Sequence, residues 1–295
     1  MSIWKHYHLA TSIQDALQTL AQAHEPSRLI AGGTDLLLDL QQGRHSPVDT
    51  LVDITQVPDL TCLEVRNHSL FIGAAVPLNV ITTSPLILEN ARALATASGL
   101  VGGPQVRNTA TLGGNVGHAL PAGDGTIALV ALDAQVEVAS LEGIRQVPIL
   151  ELFLGPGKSI LNPVKELLTG FYLPLHSPGE GSAFSRVMRP QGVALPILNV
   201  AIWLRQGITG IEDVRVALGP AGPVPQRGYA AERVLCGMPF SEEICLKAAI
   251  ALQKQVHFRT SPHRASAGYR HHLIDSLFRD VLFEAWQASE PSANL

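Results

Sequence analysis

The chain has 295 residues, of which 46% are hydrophobic and 16% charged, and its formal net charge is −4. This composition predicts two or three well-buried domains with an apolar surface that partner subunits could cover. The lack of a Lys/Arg cluster and an aromatic content of 5% argue against a nucleic-acid-binding surface. The N-terminus has no signal-peptide core, and Asp133 and Glu137 interrupt the most apolar run, residues 127–138. We therefore expect a cytoplasmic chain with no membrane span.

The first third of the chain alternates short apolar runs with helical periodicity. Apolar spacing predicts a helix at residues 12–23, with Ser12 as its N-cap. A strand at 29–31, a tight Gly32-Gly33 turn and a helix at 36–40 follow. A further strand at 51–54 precedes a hairpin whose arms are 62–65 and 70–72, and a helix at 86–98 ends at Gly99.

The remaining elements divide into two groups at the segment HSPGEGS, residues 176–182, which is typical of a linker. Before it we predict a helix at 126–132 and strands at 135–139, 145–148 and 170–173. After it we predict strands at 195–204 and 213–218, a loop at GPAGPVP, and helices near 227–236, 241–256 and 265–287. The predicted class is α+β, with two domains that meet near residue 178.

Two Gly-Gly pairs are the strongest indication of a ligand. In IAGGTDLL the pair follows a predicted strand and precedes a helix, so uncovered amide groups and a helix N-terminus could bind phosphate there. TLGGN repeats the pattern at residues 111–115. An ordinary tight turn is the alternative for each pair, but two such turns in one domain suggest one extended ligand with a central anion. Asp124 lies just before a helical run and is either an N-cap or a carboxylate for sugar hydroxyls.

Several other motifs carry no assigned chemistry. LFLGPGKS ends like a phosphate-binding Walker A loop, but Leu152 stands where the first glycine is required. No G-x-G-x-x-G is present. The three cysteines have no C-x-x-C spacing and the eleven histidines are scattered, so we predict no metal ligand. We find no nucleophile–base pair and therefore assign no catalytic residue.

Taken in order, the motifs resemble the FAD-binding subunit of the molybdenum hydroxylases, which include xanthine dehydrogenases and carbon monoxide dehydrogenase. The resemblance covers IAGGTDLL, RNTATLGGN, PAGD, LVALDAQVEV, LFLGPGKSILNP, FSRVMRPQGVALPILNVAIWL and ALGPAGPVPQR. It ends in TSPHRASAGYRHHL, which is similar to an S-x-x-R-x-S-x-x-Y-R signature of that family. The likeness spans nearly the whole chain.

The resemblance implies a fold and a set of FAD contacts. The fold would be that of vanillyl-alcohol oxidase: an FAD-binding domain at 1–176 with α/β subdomains at about 1–56 and 57–176, then a C-terminal domain at 177–290 with a three-stranded antiparallel sheet and helices. The pyrophosphate and adjoining groups would contact two segments. The first glycine segment is Leu29, Ile30, Ala31, Gly32, Gly33, Thr34, Asp35 and Leu36; the second is Thr111, Leu112, Gly113, Gly114 and Asn115.

Four further residues complete the implied site. Asp124 would hold ribityl or ribose hydroxyls, and Val101 and Leu168 would approach the flavin ring. Arg186 stands where the family often has a lysine, so the positive charge is kept.

The implied role is electron transfer within a heterotrimer. A large subunit would hold the molybdenum cofactor, and a small subunit would hold two [2Fe–2S] clusters. FAD in this chain would pass their electrons to NAD+, oxygen or a quinone. The cysteine count rules out the additional [4Fe–4S] cluster of some relatives. Two alternatives stay open: a stand-alone flavin-dependent oxidoreductase of the same fold, and a flavin-free scaffold or maturation partner.

Overall fold

A computed structural model describes residues 3–24, 26–189, 195–262 and 264–290 of the chain. The first sheet is parallel, in the order β1-β3-β2. Its elements are β1 (Trp4–Leu9), α1 (Ile13–Gln22), β2 (Ser27–Ile30), α2 (Leu36–Gln41) and β3 (Val48–Asp53). Helix α1 begins where predicted, because the Ser12 side chain accepts a hydrogen bond from the Asp15 amide.

The second sheet is antiparallel, in the order β4-β5-β10-β6-β7. Its buried strand residues and the helices of this region together form the largest hydrophobic core. In chain order the elements of this region are α3 (Pro58–Thr61), β4 (Leu63–Arg66), β5 (Ser69–Gly73), α4 (Leu78–Thr83), α5 (Pro85–Asn90), α6 (Arg92–Leu100), α7 (Pro104–Arg107), α8 (Leu112–Gly117), α9 (Asp124–Ala131), β6 (Gln135–Ser140), β7 (Gly143–Pro148), β8 (Phe153–Gly155), β9 (Lys158–Ser159) and β10 (Glu166–Pro174). A 3-10 turn at Ile149–Leu152 precedes the small β8-β9 hairpin.

The third sheet is antiparallel, in the order β11-β12-β13-β14. Its elements are β11 (Glu180–Val187), β12 (Leu198–Gln206), β13 (Ile211–Gly219), β14 (Gln226–Arg227), α10 (Tyr229–Leu235), α11 (Glu242–Gln255) and α12 (Ala267–Ser289). One face packs against α10, α11 and α12. The other face presents Phe184, Ala201 and Trp203 to the core that contains α6 and α9. The sheet is therefore buried on both sides and joins the two halves of the chain.

Most predicted elements are confirmed, including the hairpin turn, where Asn67 and His68 have positive φ angles of 48° and 60°. The predicted helix at 86–98 is wrong as a single helix. It is interrupted at Ala91, whose φ of −146° and ψ of 51° are not helical. The break lets the Ala93 amide of α6 donate to the Ser182 hydroxyl on β11, 3.2 Å away. The start of α6 thus depends on a hydrogen bond to Ser182, which is distant in sequence. Local periodicity cannot predict such a contact.

The sequence analysis did not predict two long strands, β1 and β11. Strand β1 is mostly exposed along its length, so it lacks the buried alternation that identifies a strand. Strand β11 contains only one β-branched residue, Val187, and begins at Glu180, inside the segment predicted to be a linker. The three long C-terminal strands are joined by a fourth, β14, that is only two residues long. Across the described parts of the chain, no helix combines the length and hydropathy needed to cross a bilayer.

Candidate functional site

The first glycine segment (residues 29–36) connects the end of β2 to the start of α2. Gly33 has a φ of 67°, a conformation that favours glycine. The Asp35 side chain does not cap α2 and is exposed. Within the described residues, the backbone amides of residues 32–36 donate no hydrogen bond. These amides, at the N-terminus of a helix, are available to an anion.

The second glycine segment (residues 111–115) has a different construction from the strand-end loop that was predicted. It forms the start of α8, whose N-cap Thr111 accepts a hydrogen bond from the Gly114 amide at 3.1 Å. The amides of Leu112 and Gly113 donate to the Val76 and Ala74 carbonyl groups at 3.2 and 2.8 Å. The Asn115 amide donates to the Thr111 carbonyl, so the amides of residues 112–115 are already used within the protein.

The two glycine segments lie side by side. A Cβ atom at Gly32 would overlap the Thr109 carbonyl group and lie 2.8 Å from the Ala110 Cα atom. Residues 109 and 110 lead directly into the second segment. A Cβ atom at Gly113 would lie 2.6 Å from both the Cβ and the carbonyl oxygen of Ala74. Glycine at 32 therefore lets the loop after β2 pack closely against residues 109 and 110, and glycine at 113 lets α8 pack closely against Ala74.

Asp124 is the first residue of α9, and the residue before it, Gly123, occupies the N-cap position. The alternative that Asp124 is an N-cap is therefore wrong. Its side chain is 4% exposed, and its two oxygens accept from Arg186 Nη1 at 2.5 Å and Asn199 Nδ2 at 2.7 Å. Burial raises the pKa of the Asp124 carboxyl, against the lowering effects of Arg186 and Asn199.

Asn115 connects the second glycine segment to this ion pair. Its Oδ1 atom accepts from the Thr126 amide in the first turn of α9, at 3.2 Å. Asn199 Nδ2 also donates to the Ala122 carbonyl group, 3.1 Å away, just before α9. Within the parts of the chain that the structure describes, Asn199 Oδ1 and Arg186 Nε are buried without hydrogen-bond partners. A donor and an acceptor beside Asp124 thus remain unsatisfied by the protein.

Val101 lies in a turn whose carbonyl groups accept hydrogen bonds from two arginines. Arg186 Nη2 donates to the Leu100 carbonyl group at 2.5 Å. Arg107 Nη1 donates to the carbonyl groups of Val101 and Gly102, at 3.1 and 2.8 Å. The position of Val101 is thereby fixed relative to Arg186 and, through it, to Asp124.

Leu168 lies on β10, is 7% exposed, and is followed by a register shift in the pairing with β6. The Ala74 amide donates to the carbonyl group of the next residue, Thr169, at 2.9 Å, and the Ala74 carbonyl accepts from Gly113. One residue, Ala74, therefore connects the strand of Leu168 to the second glycine segment. Apart from the first glycine segment, every predicted site residue is thus connected by these contacts to one of three elements. The three are the second glycine segment, α9 and the turn of Val101.

Sequence reasoning missed two residues that organise the site, Asn199 and Arg107. Asn199 is fully buried on β12, and a polar residue inside the apolar run LNVAIWL was the available signal. Arg107 acts through a turn that closes only in the folded chain, so no local pattern identifies it. Among the described residues, no group of three or more His, Cys, Asp or Glu is placed to hold a metal ion.

Two family models match the chain. One, described as the FAD binding domain in molybdopterin dehydrogenase, matches residues 3–176. The other, the CO dehydrogenase flavoprotein C-terminal domain, matches residues 182–285. Together they cover both sides of the segment that was predicted to separate two domains.

Named relatives are similar over almost their full length. The nicotine 6-hydroxylase medium subunit of Paenarthrobacter nicotinovorans is 35% identical, over 95% of this chain and 96% of the relative. A putative xanthine dehydrogenase FAD-binding subunit of Escherichia coli K12 is 31% identical, over 96% of each. A carbon monoxide dehydrogenase structure from Hydrogenophaga pseudoflava contains a chain that is 27% identical and superposes with a TM-score of 0.91, covering 98% of this chain and 99% of that one.

Proposed function

This chain belongs to the family of FAD-binding subunits of molybdenum hydroxylases, and we propose that within such a complex it passes electrons from [2Fe–2S] clusters to a final acceptor. It is an FAD-dependent oxidoreductase subunit of the xanthine and carbon monoxide dehydrogenase type. The observation that supports the proposal best is that the successive amides of residues 32–36 donate to no acceptor among the described residues.

The residues of the first glycine segment fit a pyrophosphate. Amide groups bonded to a charged oxygen contribute about 1.5–3 kcal/mol each, so two or three could hold the anion without a lysine. The N-terminus of α2 adds a favourable partial positive charge. In the second segment, Gly113 allows α8 to approach Ala74 closely, and we propose that this places residues 111–115 along the same ligand.

The remaining expected contacts concern the sugar and the ring. Each Asp124 oxygen accepts one bond from the protein and a carboxylate oxygen can accept two, so we keep Asp124 as the residue for ribityl or ribose hydroxyls. The unsatisfied Asn199 Oδ1 and Arg186 Nε atoms lie on the same network. Val101 and Leu168 are proposed to contact the flavin ring, and Arg186 to fix Val101 and Asp124 relative to each other.

When bound, FAD supplies the ability to accept electrons and release them to a different acceptor. The chain's own residues bind and orient it, and we assign them no acid–base step. The proposed partners are a large molybdenum-cofactor subunit and a small [2Fe–2S] subunit, because relatives carry the names of medium chains of such dehydrogenases. NAD+, oxygen or a quinone is the proposed acceptor, and the cytoplasm the proposed location.

We propose the division into an FAD-binding domain at 1–176, with subdomains at about 1–56 and 57–176, and a C-terminal domain at 177–290. The first sheet ends with β3 and the second with β10, which supports both boundaries. The extensive packing of β11 and β12 against α6 and α9 indicates that the two domains are held together in the folded chain.

The purified chain's visible absorption spectrum, with chromatographic identification of the released chromophore, tests the proposal. We expect flavin bands and release of FAD without FMN. A colourless protein that also fails to take up added FAD would contradict the pyrophosphate assignment and leave the flavin-free scaffold as the better description. A chain that turns over a substrate without any partner subunit would instead favour the stand-alone oxidoreductase.

A further inference from the structure

Three arginines lie in the segment that leads into α12 and in the first turns of that helix, outside the residues proposed to bind FAD. We call Arg259, Arg264 and Arg270 the arginine cluster. Arg270 is 3% exposed, its Nη1 atom donates to the Arg259 carbonyl group at 3.0 Å, and its Nε atom is buried with no partner among the described residues. A buried N–H of a guanidinium group is rarely left without an acceptor, since desolvation of the charge is costly.

No carboxylate among the described residues balances the charges of the cluster. In the ranges that the structure describes, no ion pair includes any of the three arginines. Burial lowers the pKa of Arg270, and the charges of Arg264 and Arg259 lower it further. Burial and then Arg259 lower the pKa of Arg264. The buried end of Arg270 thus contacts the backbone of Arg259, in a chain whose net charge is −4.

The backbone around the cluster adds to this positive potential. Helix α12 is 23 residues long and begins after Ser266, so its N-terminus carries a partial positive charge beside the cluster. The amides of Ala267 and Tyr269 donate to Thr260 Oγ1 and Ser266 Oγ at 3.1 and 3.2 Å. Among the described residues the Gly268 amide donates to no acceptor, and a Cβ atom there would meet nothing within 4 Å.

We propose that the arginine cluster binds a phosphate group, from free inorganic phosphate or from a nucleotide. Phosphate accepts paired hydrogen bonds from guanidinium forks and carries about two negative charges, which suits several arginines that have no carboxylate partner among the described residues. Arg189 Nη2 donates to the Arg264 carbonyl group at 3.0 Å. The site is thereby connected to the residues just after β11, the strand that carries Arg186.

The test is calorimetric titration of the FAD-saturated full chain with inorganic phosphate, at constant ionic strength maintained with sodium chloride. Saturation with FAD removes the first glycine segment as a competing phosphate site. We expect Arg264→Gln to weaken phosphate binding by about tenfold or more, as loss of a charge-assisted hydrogen bond implies. Arg233→Gln, on the exposed side of α10, makes the same charge change elsewhere and should leave phosphate affinity unchanged.

Because Arg270 is buried, Arg270→Gln could fail to fold, and Arg259→Gln, at an exposed position, serves as the second variant. A parallel titration with AMP separates the sources of the phosphate. Tighter binding of AMP than of phosphate, weakened by the same variants, supports a nucleotide, and AMP binding no tighter than phosphate supports the free anion. Absence of phosphate binding in the wild type, or equal affinity in Arg264→Gln and wild type, would overturn the proposal. Flavin content, measured in the same samples, reports separately on the proposed function.

Discussion

The two Gly-Gly segments of the FAD-binding domain share a dipeptide but differ in what their backbone amides do. Residues 32–36 leave their amides without acceptors among the described residues, whereas residues 112–115 donate to Val76, Ala74 and Thr111. Gly33 supplies a positive φ angle, while Gly113 supplies space against Ala74. The same sequence signal therefore leaves amides without described acceptors, available to the proposed ligand, in one place and permits close helix packing in the other.

Because of this difference, we expect substitutions in one segment to affect mainly FAD affinity and substitutions in the other to affect mainly the free energy of unfolding. Apart from Gly32, which packs against the backbone of residues 109 and 110, a substitution in the first segment should change FAD affinity more than folding, because its amides donate no hydrogen bond among the described residues. A substitution in the second should change folding first, because its amides and glycines are part of the core around Leu112 and Val116. The following changes either break that distinction or make it quantitative.

The largest expected effect is on FAD affinity. Gly33→Asp places a carboxylate beside the free amides and forces a non-glycine residue into a φ of 67°. Loss of two charge-assisted amide bonds alone predicts weakening of roughly a hundredfold or more. Gly43→Asp is the matched control, since Gly43 also has a positive φ, of 69°, with no atom within 4 Å of an added Cβ. Flavin fluorescence titration measures both, and full flavin occupancy in Gly33→Asp would refute the assignment.

The second effect is on stability. Gly113→Ala should lower the free energy of unfolding by about 1–3 kcal/mol, because the added methyl group overpacks the contact with Ala74. Gly117→Ala, in the same short helix, has open space around an added Cβ and should be neutral or stabilising by about 0.5–1 kcal/mol. Denaturant unfolding of both variants decides the matter. Equal stability of the two variants would show that Gly113 is not needed for packing.

The third effect follows the connection from the second segment through α9 to Asp124. Burial raises the folded-state pKa of Asp124, so its contribution to stability is fully present below the unfolded pKa and is lost as pH rises through the folded pKa. Relative to Asp124→Asn, the wild type should therefore gain stability as pH is lowered towards the ordinary Asp range, by about 1.4 kcal/mol for each unit of pKa shift.

Glu243 provides a control whose stability should change with pH in the opposite direction to that of Asp124. Lys247 lowers the pKa of Glu243, so the stability from that group is present above its unfolded pKa and is lost as pH falls through the folded pKa. Chemical unfolding at a series of pH values, with Glu243→Gln beside Asp124→Asn, should give difference curves of opposite slope. A flat difference curve for Asp124→Asn would mean that Arg186 fully compensates the burial of the carboxylate.

The smallest effect compares two threonines. Thr111→Val removes the N-cap bond to the Gly114 amide and should cost about 1 kcal/mol of unfolding free energy. Thr34→Val removes only a 3.5 Å contact with Asp35 and should leave stability unchanged. Thermal unfolding of the two variants measures the contrast. A larger loss at residue 34 than at residue 111 would reverse the roles given to the segments.

The sequence alone predicted most of this architecture, and the failures have identifiable causes. Ser12 and the Asn67-His68 turn were predictable because capping and positive φ angles depend on neighbouring residues. The break at Ala91 was not, because the Ser182 hydroxyl that receives the Ala93 amide is distant in sequence. Strand β1 was missed because most of its side chains are exposed.

The site was predictable to a similar degree. The glycine pairs marked both segments, but only the structure distinguishes free amides from occupied ones. Arg186 and Asp124 were expected to contact the cofactor separately, and their mutual ion pair joins residues 62 positions apart. Asn199 and Arg107 were missed because each acts through a contact that exists only after the sheets have packed.

The most direct test of the account is backbone amide hydrogen exchange, measured residue by residue with and without saturating FAD. Because the amides of residues 32–36 lack acceptors among the described residues, they should exchange rapidly in the free chain and become protected when FAD binds. The amides of residues 112–115 should be protected in both states. Unchanged rapid exchange at residues 32–36 in FAD-saturated protein, with new protection confined to residues 112–115, would contradict the roles assigned to the two segments.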